Sequence, residues 1–171
     1  MHVSTSVKFW DEVGVKFYTK YKYLDKLYDT NLKLISQGKP IVGPLGREWD
    51  IKPFKNYRGE MELPVTKAVN YPVQGAGADV MMLARISLRN RLRKLPGSDN
   101  IKFISTVHDS VTVDCPSSFQ EPIVNIFHQV FDDLPKNIEK IFGYKWKTPL
   151  ACETKVGMNM KAMTKVERTD K

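Results

Sequence analysis

The sequence is poor in cysteine and has no long apolar run. Its two cysteines, Cys115 and Cys152, are too few for a disulfide framework and lack the spacing of metal ligands. No apolar stretch approaches the ~18 residues that cross a membrane, and the N-terminus lacks the regions of a signal peptide. Proteins without a disulfide framework are typical of reducing compartments, so we expect a cytoplasmic protein. Because the sequence has no membrane-spanning run, we expect no membrane contact.

Acidic residues are outnumbered by basic ones. The 171 residues include 27 lysines and arginines and 19 aspartates and glutamates, which gives a formal charge of +8. Such a surface attracts polyanions, most commonly nucleic acid, but an excess of solvated lysines gives the same charge. With 42% hydrophobic residues the composition is globular, and the length suits one domain.

Hydrophobic periodicity predicts an α+β fold. A helical pattern from Val7 to Ile35 predicts one or two helices that end at Gly38 and Pro40, and its aromatic stripe is either core or a contact with another chain. We expect a second helix or a helical turn over 65–69 that Pro72 interrupts. The later elements are a helix over 76–95, a hairpin over 101–115, a helix over 118–142 that Pro135 can interrupt, a strand over 150–156 and a frayed tail after 160. No linker or repeat is visible, so we expect one unit, residues 1–171, with helices packed on a small antiparallel sheet.

The predicted hairpin is interrupted at its centre by Val107-His108-Asp109-Ser110. This pattern places Asp109 at the hairpin tip, where the strand ladder on both sides holds the backbone. A carboxylate in such a rigid position can hold a metal ion. Taken alone, the four residues are more typical of an ordinary polar turn.

A second motif, Asn70-Tyr71-Pro72-Val73-Gln74-Gly75, carries two amide side chains one helical turn apart. Neutral amide donors suit the minor groove of DNA, because every base pair presents acceptors there at nearly equivalent positions. The alternative is a structural role in which Asn70 caps a helix, Pro72 occupies its first turn and Gly75 permits close packing.

Together the two motifs, in this order and with an amphipathic helix between them, resemble the last third of the polymerase domain of family A DNA polymerases. The resemblance implies a palm fold, in which the hairpin belongs to a small antiparallel sheet packed against several helices. It also implies that Asp109 is a ligand of two Mg²⁺ ions and that His108 donates a hydrogen bond to the primer end. Asn70 and Gln74 match the family positions that contact primer and template.

Two substitutions depart from the family pattern. Ser110 stands where the family carries a glutamate, which puts full catalytic efficiency in doubt. Lys67 stands where the family usually carries an arginine, so its DNA contact is expected to be weaker.

Arginines form two further candidate sites. Gly43-Pro44-Leu45-Gly46-Arg47 resembles a family turn whose arginine lies near the template backbone, and a guanidinium suits phosphate. A surface turn with a spare arginine explains the same residues equally well. Arg85, Arg89 and Arg93 repeat every fourth residue on one helix face, for which a solvated surface is the simpler interpretation.

Several parts of a complete family A polymerase domain have no counterpart in this sequence. These are the thumb, the first palm strand with the other metal-binding aspartate, and the fingers helix that handles the incoming nucleotide. Because one carboxylate cannot hold two Mg²⁺ ions, we expect this chain not to polymerise alone. Its start at Met1 and its end near the family's end favour a split polymerase, of viral or phage origin, or a cloned fragment.

The expected function is therefore that of a C-terminal subunit or fragment of a DNA-directed DNA polymerase. Its expected partners are primer–template DNA, deoxynucleoside triphosphates and a second polymerase chain that carries the missing parts. The alternative is a catalytically inactive accessory DNA-binding protein derived from a polymerase.

Overall fold

The computed structural model describes residues 6–170, which fold as two compact units. Unit 1 contains the chain up to Gly43 together with Arg47–Val73, and unit 2 contains Pro44–Gly46 and the chain from Gln74 onward. Within residues 6–170 there are four α-helices and four two-stranded antiparallel sheets. This mixture of helices and antiparallel strands confirms the predicted α+β fold class. No helix in that range has the length and apolar character of a bilayer-spanning segment.

Unit 1 contains two helices, two small hairpins and the first turns of a third helix. The N-terminal apolar pattern produces α1 (Val7–Lys20) and α2 (Tyr23–Ser36), which confirms the predicted helical region. The chain then turns through Gly38, whose φ is 67°. The hairpins are β1 (Ile41–Val42) with β2 (Glu48–Trp49) and β3 (Phe54–Lys55) with β4 (Met61–Glu62). The buried core of the unit consists of Ile35, Ile41, Ile51 and Ala68.

The predicted interruption at Pro72 is wrong, because α3 runs without a break from Val65 to Leu92. Proline has no backbone N–H and therefore leaves the carbonyl four residues earlier, on Ala68, without its helical donor. Asn31 of α2 replaces that donor: its Nδ2 donates to the Ala68 carbonyl oxygen at 3.0 Å. Both residues are buried, with Asn31 only 5% exposed. A side chain from a neighbouring helix thus satisfies the carbonyl that proline leaves open.

Unit 2 is centred on the packing of the later part of α3 against α4 (Gln120–Phe142). Its core consists of Val80, Ala84 and Leu88 from α3 with Val130, Leu134 and Ile138 from α4. α4 passes unbroken through Pro135, where the sequence allowed an interruption. The buried residues on both sides of this proline form one stripe, and packing of an amphipathic face outweighs the local preference against proline.

The remaining strands of unit 2 form two hairpins. The first joins β5 (Lys102–Val107) to β6 (Ser110–Asp114), which confirms the hairpin predicted over 101–115. The second joins β7 (Thr154–Val156) to β8 (Thr164–Val166). The predicted last strand is therefore shorter than expected, and β8 had no sequence signal that we recognised.

The prediction of a frayed tail after residue 160 is wrong. Arg168 donates to Asp132 of α4 at 2.5 Å and to Asp170 at 2.7 Å. The backbone N–H of Thr169 donates to Asn125 of α4 at 2.9 Å. The Arg168 guanidinium, and after it the Gln129 amide, hold the pKa of Asp170 down at about 2. These contacts tie the last described residues onto the outer face of α4.

We predict that Asn31→Ala lowers the free energy of unfolding by about 1–3 kcal/mol, because it leaves the buried Ala68 carbonyl without a donor. In a Pro72→Ala background the loss should be smaller, since residue 72 then has an N–H for the same carbonyl. Urea unfolding of the wild type, both single variants and the double variant measures this coupling. Equal losses in both backgrounds would show that Asn31 does not replace the missing helical donor.

Candidate metal and nucleic-acid site

The hairpin places His108 and Asp109 at its tip. Val107 pairs directly with Ser110 across the two strands, so these two residues alone form the turn. Both side chains are exposed to solvent. A two-residue turn between paired strands has little freedom, and the Asp109 carboxylate is therefore presented outward from a rigid position.

The backbone of His108 is strained. Its φ of 50° makes it the one non-glycine residue with positive φ among the residues that the structure describes. A left-handed conformation costs a residue with a Cβ about 1–3 kcal/mol, although histidine tolerates it better than most. Such strain is retained where a side chain is needed at that position, which makes His108 a candidate functional residue together with Asp109.

Ser110 closes the turn rather than extending its polar surface. Its hydroxyl donates to the carbonyl oxygen of Val107 at 2.9 Å, which is the residue that it faces across the hairpin. A serine in this position supplies no carboxylate. The tip of the hairpin therefore presents a single acidic side chain, that of Asp109.

The regular alternation of side chains expected of a β-strand breaks at Ile104 of β5. Phe103 pairs with Val113, whereas Ser105 pairs with Thr112, so Ile104 has no partner on β6. This bulge shifts the alternation of the side chains that follow it. Ile104 is 58% exposed as a result of lying outside both the pairing and the core. Periodicity alone gave no sign of the extra residue.

The three polar residues predicted around the second motif, Lys67, Asn70 and Gln74, all lie on α3 and are exposed. Because α3 begins at Val65, the structure rules out the alternative in which Asn70 caps the helix. Their spacing of three and four residues is that of one helix face. Within residues 6–170, the amides of Asn70 and Gln74 have no hydrogen-bond partner. Two donors are therefore available to an external acceptor.

Arg47 follows the turn between β1 and β2, as the sequence predicted. Gly43 donates its N–H to the Arg47 carbonyl at 2.8 Å, and Gly46 takes a φ of 81° that favours glycine. The Arg47 side chain is exposed. Of the predicted site residues, Arg47, Lys67 and Asn70 belong to unit 1, and Gln74, His108 and Asp109 belong to unit 2.

The described residues do not make a complete magnesium site. No group of three or more His, Cys, Asp or Glu side chains within residues 6–170 is close enough to hold a metal ion. Mg²⁺ takes oxygen ligands in octahedral geometry, and a pair of ions needs carboxylates that converge. The exposed Asp109 carboxylate is an oxygen donor of the kind that Mg²⁺ takes, and it fits one ligand position of such a site.

A polar cluster that sequence motifs did not reveal joins α4 to the β7–β8 hairpin. Thr154 donates its hydroxyl hydrogen to the Val166 carbonyl at 3.0 Å, so its oxygen accepts from His128 Nε2 at 3.1 Å. His128 Nδ1 then accepts from the Cys152 thiol at 3.6 Å. Burial, and after it the Asp132 carboxylate, raises the pKa of Cys152 to about 11. The cysteine therefore remains a thiol at neutral pH, and the contacts of His128 link α4 to Cys152 and Thr154.

Comparison with known proteins adds the family context. The family model described as DNA polymerase family A matches residues 3–162. The chain is 26% identical over 141 residues to DNA polymerase I of Aquifex aeolicus strain VF5. It is also 26% identical over 148 residues to DNA polymerase I of Caldicellulosiruptor bescii, and equally to the DNA polymerase of Bacillus phage SP01.

The matched segments represent a small part of each relative. They cover 77%, 84% and 84% of this chain but only 22%, 16% and 15% of the three relatives, respectively. The chain therefore spans less than a quarter of the length of the curated relatives that it matches.

We predict that His108→Gly raises the free energy of unfolding by about 0.5–1 kcal/mol, because glycine adopts the positive φ of this position without a steric penalty. Asp109→Gly is the matched control. Its φ is not positive, so glycine there should lower the free energy of unfolding by about 0.5–1 kcal/mol. Chemical denaturation of the three proteins measures both changes, and destabilisation by His108→Gly would contradict the strain.

Proposed function

This chain belongs to DNA polymerase family A, and we propose that residues 1–171 act as the C-terminal portion of a polymerase domain, comprising the palm hairpin and its adjoining helices. In this proposal it serves template-directed nucleotidyl transfer in DNA replication, in the cytoplasm. Its substrates are primer–template DNA and deoxynucleoside triphosphates. A second chain supplies the thumb, the fingers and the other metal-binding aspartate.

The observation that carries this proposal is the exposed carboxylate of Asp109 at the tip of a two-residue turn. Two bound Mg²⁺ ions would stabilise the attacking and leaving oxygens of the phosphoryl transfer. Asp109 would hold one face of that site from a fixed backbone position. The described part of the chain contains no group of three or more His, Cys, Asp or Glu side chains that could hold a metal ion, and in our proposal the partner supplies the remaining carboxylate.

His108 and the amides would position the DNA. His108 lies next to Asp109 and in our proposal donates a hydrogen bond to the primer end. Asn70 and Gln74 offer exposed, unpartnered donors within residues 6–170, which suits acceptors that are common to all base pairs. Lys67 on the same helix and Arg47 at its turn would contact the phosphate backbone.

The first helix supports the existence of a second chain. α1 has no buried residue, and its phenylalanines remain nearly half exposed, with Phe9 43% and Phe17 47% exposed. Large exposed aromatic groups on one helix are typical of a surface that packs against another protein. We propose that the partner chain covers this helix.

One observation favours a second candidate function. Ser110 lies where the family carries a carboxylate, and its hydroxyl is used within the turn. An accessory protein that binds DNA without catalysis would need the amides of α3 but not a second acidic residue. Primer extension distinguishes the two functions.

The experiment is primer extension by this chain co-expressed with a second chain that carries the first palm aspartate and the fingers. The mixture should extend a primer in the presence of Mg²⁺, and neither chain alone should do so. Asp109→Asn should lower the rate of the chemical step by at least about 100-fold with little change in DNA binding. The matched control is Asp114→Asn, which removes an exposed carboxylate at the other end of β6.

Two outcomes would contradict the assignment. Robust extension by the purified 171-residue chain would show that it needs no partner. A loss below about tenfold for Asp109→Asn, equal to that of the control, would make Asp109 an ordinary turn residue.

The amides have their own prediction. Asn70→Ala and Gln74→Ala each remove one hydrogen bond to a neutral acceptor, worth ~0.5–1.5 kcal/mol, so extension of matched primers should slow moderately in every sequence context. The ratio of matched to mismatched extension should also fall, because a mispair displaces the acceptors that these amides contact. Single-turnover extension measures both effects.

Asn90→Ala is the control for the amide variants, since Asn90 is an exposed amide further along the same helix. It should leave the rate and the ratio unchanged. If Asn70→Ala and Gln74→Ala did not change the ratio of matched to mismatched extension, the minor-groove role would be wrong.

A further inference from the structure

Unit 2 contains an open groove between the last turns of α3 and strand β5. Its volume is about 710 Å³. One wall carries the arginines that repeat along α3, and the other is formed by β5 and the loop that precedes it. The residues that matter for binding are Arg85, Arg89, Arg93, Lys102, Phe103 and Ile104.

The arginines of this groove lack acidic partners. Within residues 6–170, no carboxylate lies within salt-bridge distance of Arg85, Arg89 or Arg93. Arg91, on another face of α3, is by contrast paired with Asp133 of α4 at 2.6 Å. The helix therefore neutralises the arginine that faces α4 and leaves those of the groove unpaired. Asp99 also lines the groove, but four basic residues share the lining with it, so the groove carries net positive charge. The sequence favoured a merely solvated face, but it gave no sign that these arginines share a groove.

The spacing of the arginines matches a linear polyanion. Residues four apart on an α-helix are about 6 Å apart along its axis. Arg93 follows the end of α3 but its N–H still donates to the Arg89 carbonyl at 3.1 Å, so the helical spacing continues to it. Phosphates in one strand of a duplex advance only about 3.4 Å along the axis. An extended single strand separates its phosphates further, so its spacing is nearer to that of the arginines.

The opposite wall adds apolar surface and another cation. Phe103 is 36% exposed and Ile104, displaced by the bulge, is 58% exposed. The Lys102 ammonium donates to the backbone carbonyl of Asp99 at 2.5 Å. Because a carbonyl is neutral, this hydrogen bond does not neutralise the positive charge of the lysine. An aromatic ring beside a cationic track is the combination by which proteins bind single strands, with bases stacked on the ring.

We propose that this groove binds single-stranded nucleic acid. The arginines of α3 contact successive phosphates, and Phe103 stacks against an unpaired base. A duplex is the poorer ligand, because its bases already stack on one another. The site is separate from the polymerase function proposed above and needs neither the partner chain nor Mg²⁺.

An acidic polypeptide is the competing ligand for a cationic groove beside a strand edge. Within the described residues β5 pairs only with β6, so its other edge has no strand partner. The bulge at Ile104, however, disturbs the ladder that an added strand would use, and bulges and lysines protect such edges against strand addition. The shape and composition of the groove therefore favour nucleic acid.

The test measures binding of a fluorescent oligothymidylate to the purified chain by anisotropy over a range of salt concentrations. Arg85→Gln combined with Arg89→Gln should weaken binding at least tenfold at low salt. It should also reduce the slope of log affinity against log salt by about 1.4, or 0.7 for each phosphate that the variant no longer neutralises. The matched control is Lys136→Gln combined with Lys140→Gln, which removes the same charge from the exposed face of α4.

A second variant tests the stacking. Phe103→Leu keeps an apolar side chain in the hairpin and should weaken binding of oligothymidylate about tenfold without changing the salt slope. It should not weaken binding of an abasic strand of equal length, which has phosphates but no bases. Circular dichroism melting of each variant shows that the fold is retained.

Three results would overturn the proposal. An equal loss of affinity in the α4 control would mean that binding follows net charge rather than the groove. An abasic strand that binds as tightly as oligothymidylate, with no effect of Phe103→Leu, would exclude stacking. Displacement of the oligonucleotide by polyglutamate at equal charge concentration would assign the groove to an acidic polypeptide instead. None of these results depends on primer extension, so they leave the polymerase proposal unaffected.

Discussion

One hydrogen bond, from the side chain of Asn31 to the carbonyl of Ala68, allows α3 to continue past Pro72. The proposed role of Asn70 and Gln74 on one helix face depends on that continuity. The exposed amides of Asn70 and Gln74 lie on either side of the proline, and the core residues and the arginines follow on the same helix. Had the helix ended at Pro72, Asn70 would be a capping or loop residue and its amide would be available to the backbone instead of to DNA.

The sequence predicted those parts of the fold that follow from local pattern. Apolar spacing predicted α1, α2 and the buried face of α3, and β-forming residues around a polar turn predicted the hairpin that carries Asp109. It failed where a distant residue decides the outcome. The donor for the Ala68 carbonyl lies 37 residues away, and no local rule for Pro72 could include it. The described end of the chain is held in the same way, by residues of α4 that are remote in sequence.

The candidate site was predictable in its residues but not in its geometry. Two short motifs and their order were enough to select Asp109, His108, Asn70 and Gln74. The positive φ of His108 and the hydrogen bond from Ser110 to Val107 depend on the type of turn. The same short motif is compatible with several turn types, so the motif does not determine these features. The cationic groove was not predictable for another reason: charge periodicity identifies a helix face but not what lies opposite to it. Only the tertiary structure places β5 beside Arg85 and Arg89.

The contacts between the end of the chain and α4 have a consequence for synthesis on the ribosome. Asp132 precedes its partner Arg168 by 36 residues, and Glu121 precedes the hydroxyl of Thr169 by 48 residues. The polar face of α4 therefore leaves the exit tunnel well before its partners, whereas the hairpin bearing Asp109 has both strands available earlier. Synthesis adds only about 5–20 residues per second, which is slow compared with the formation of helices and hairpins. The α3–α4 core and the hairpin that carries Asp109 can thus form before residues 168–170 contact the polar face of α4.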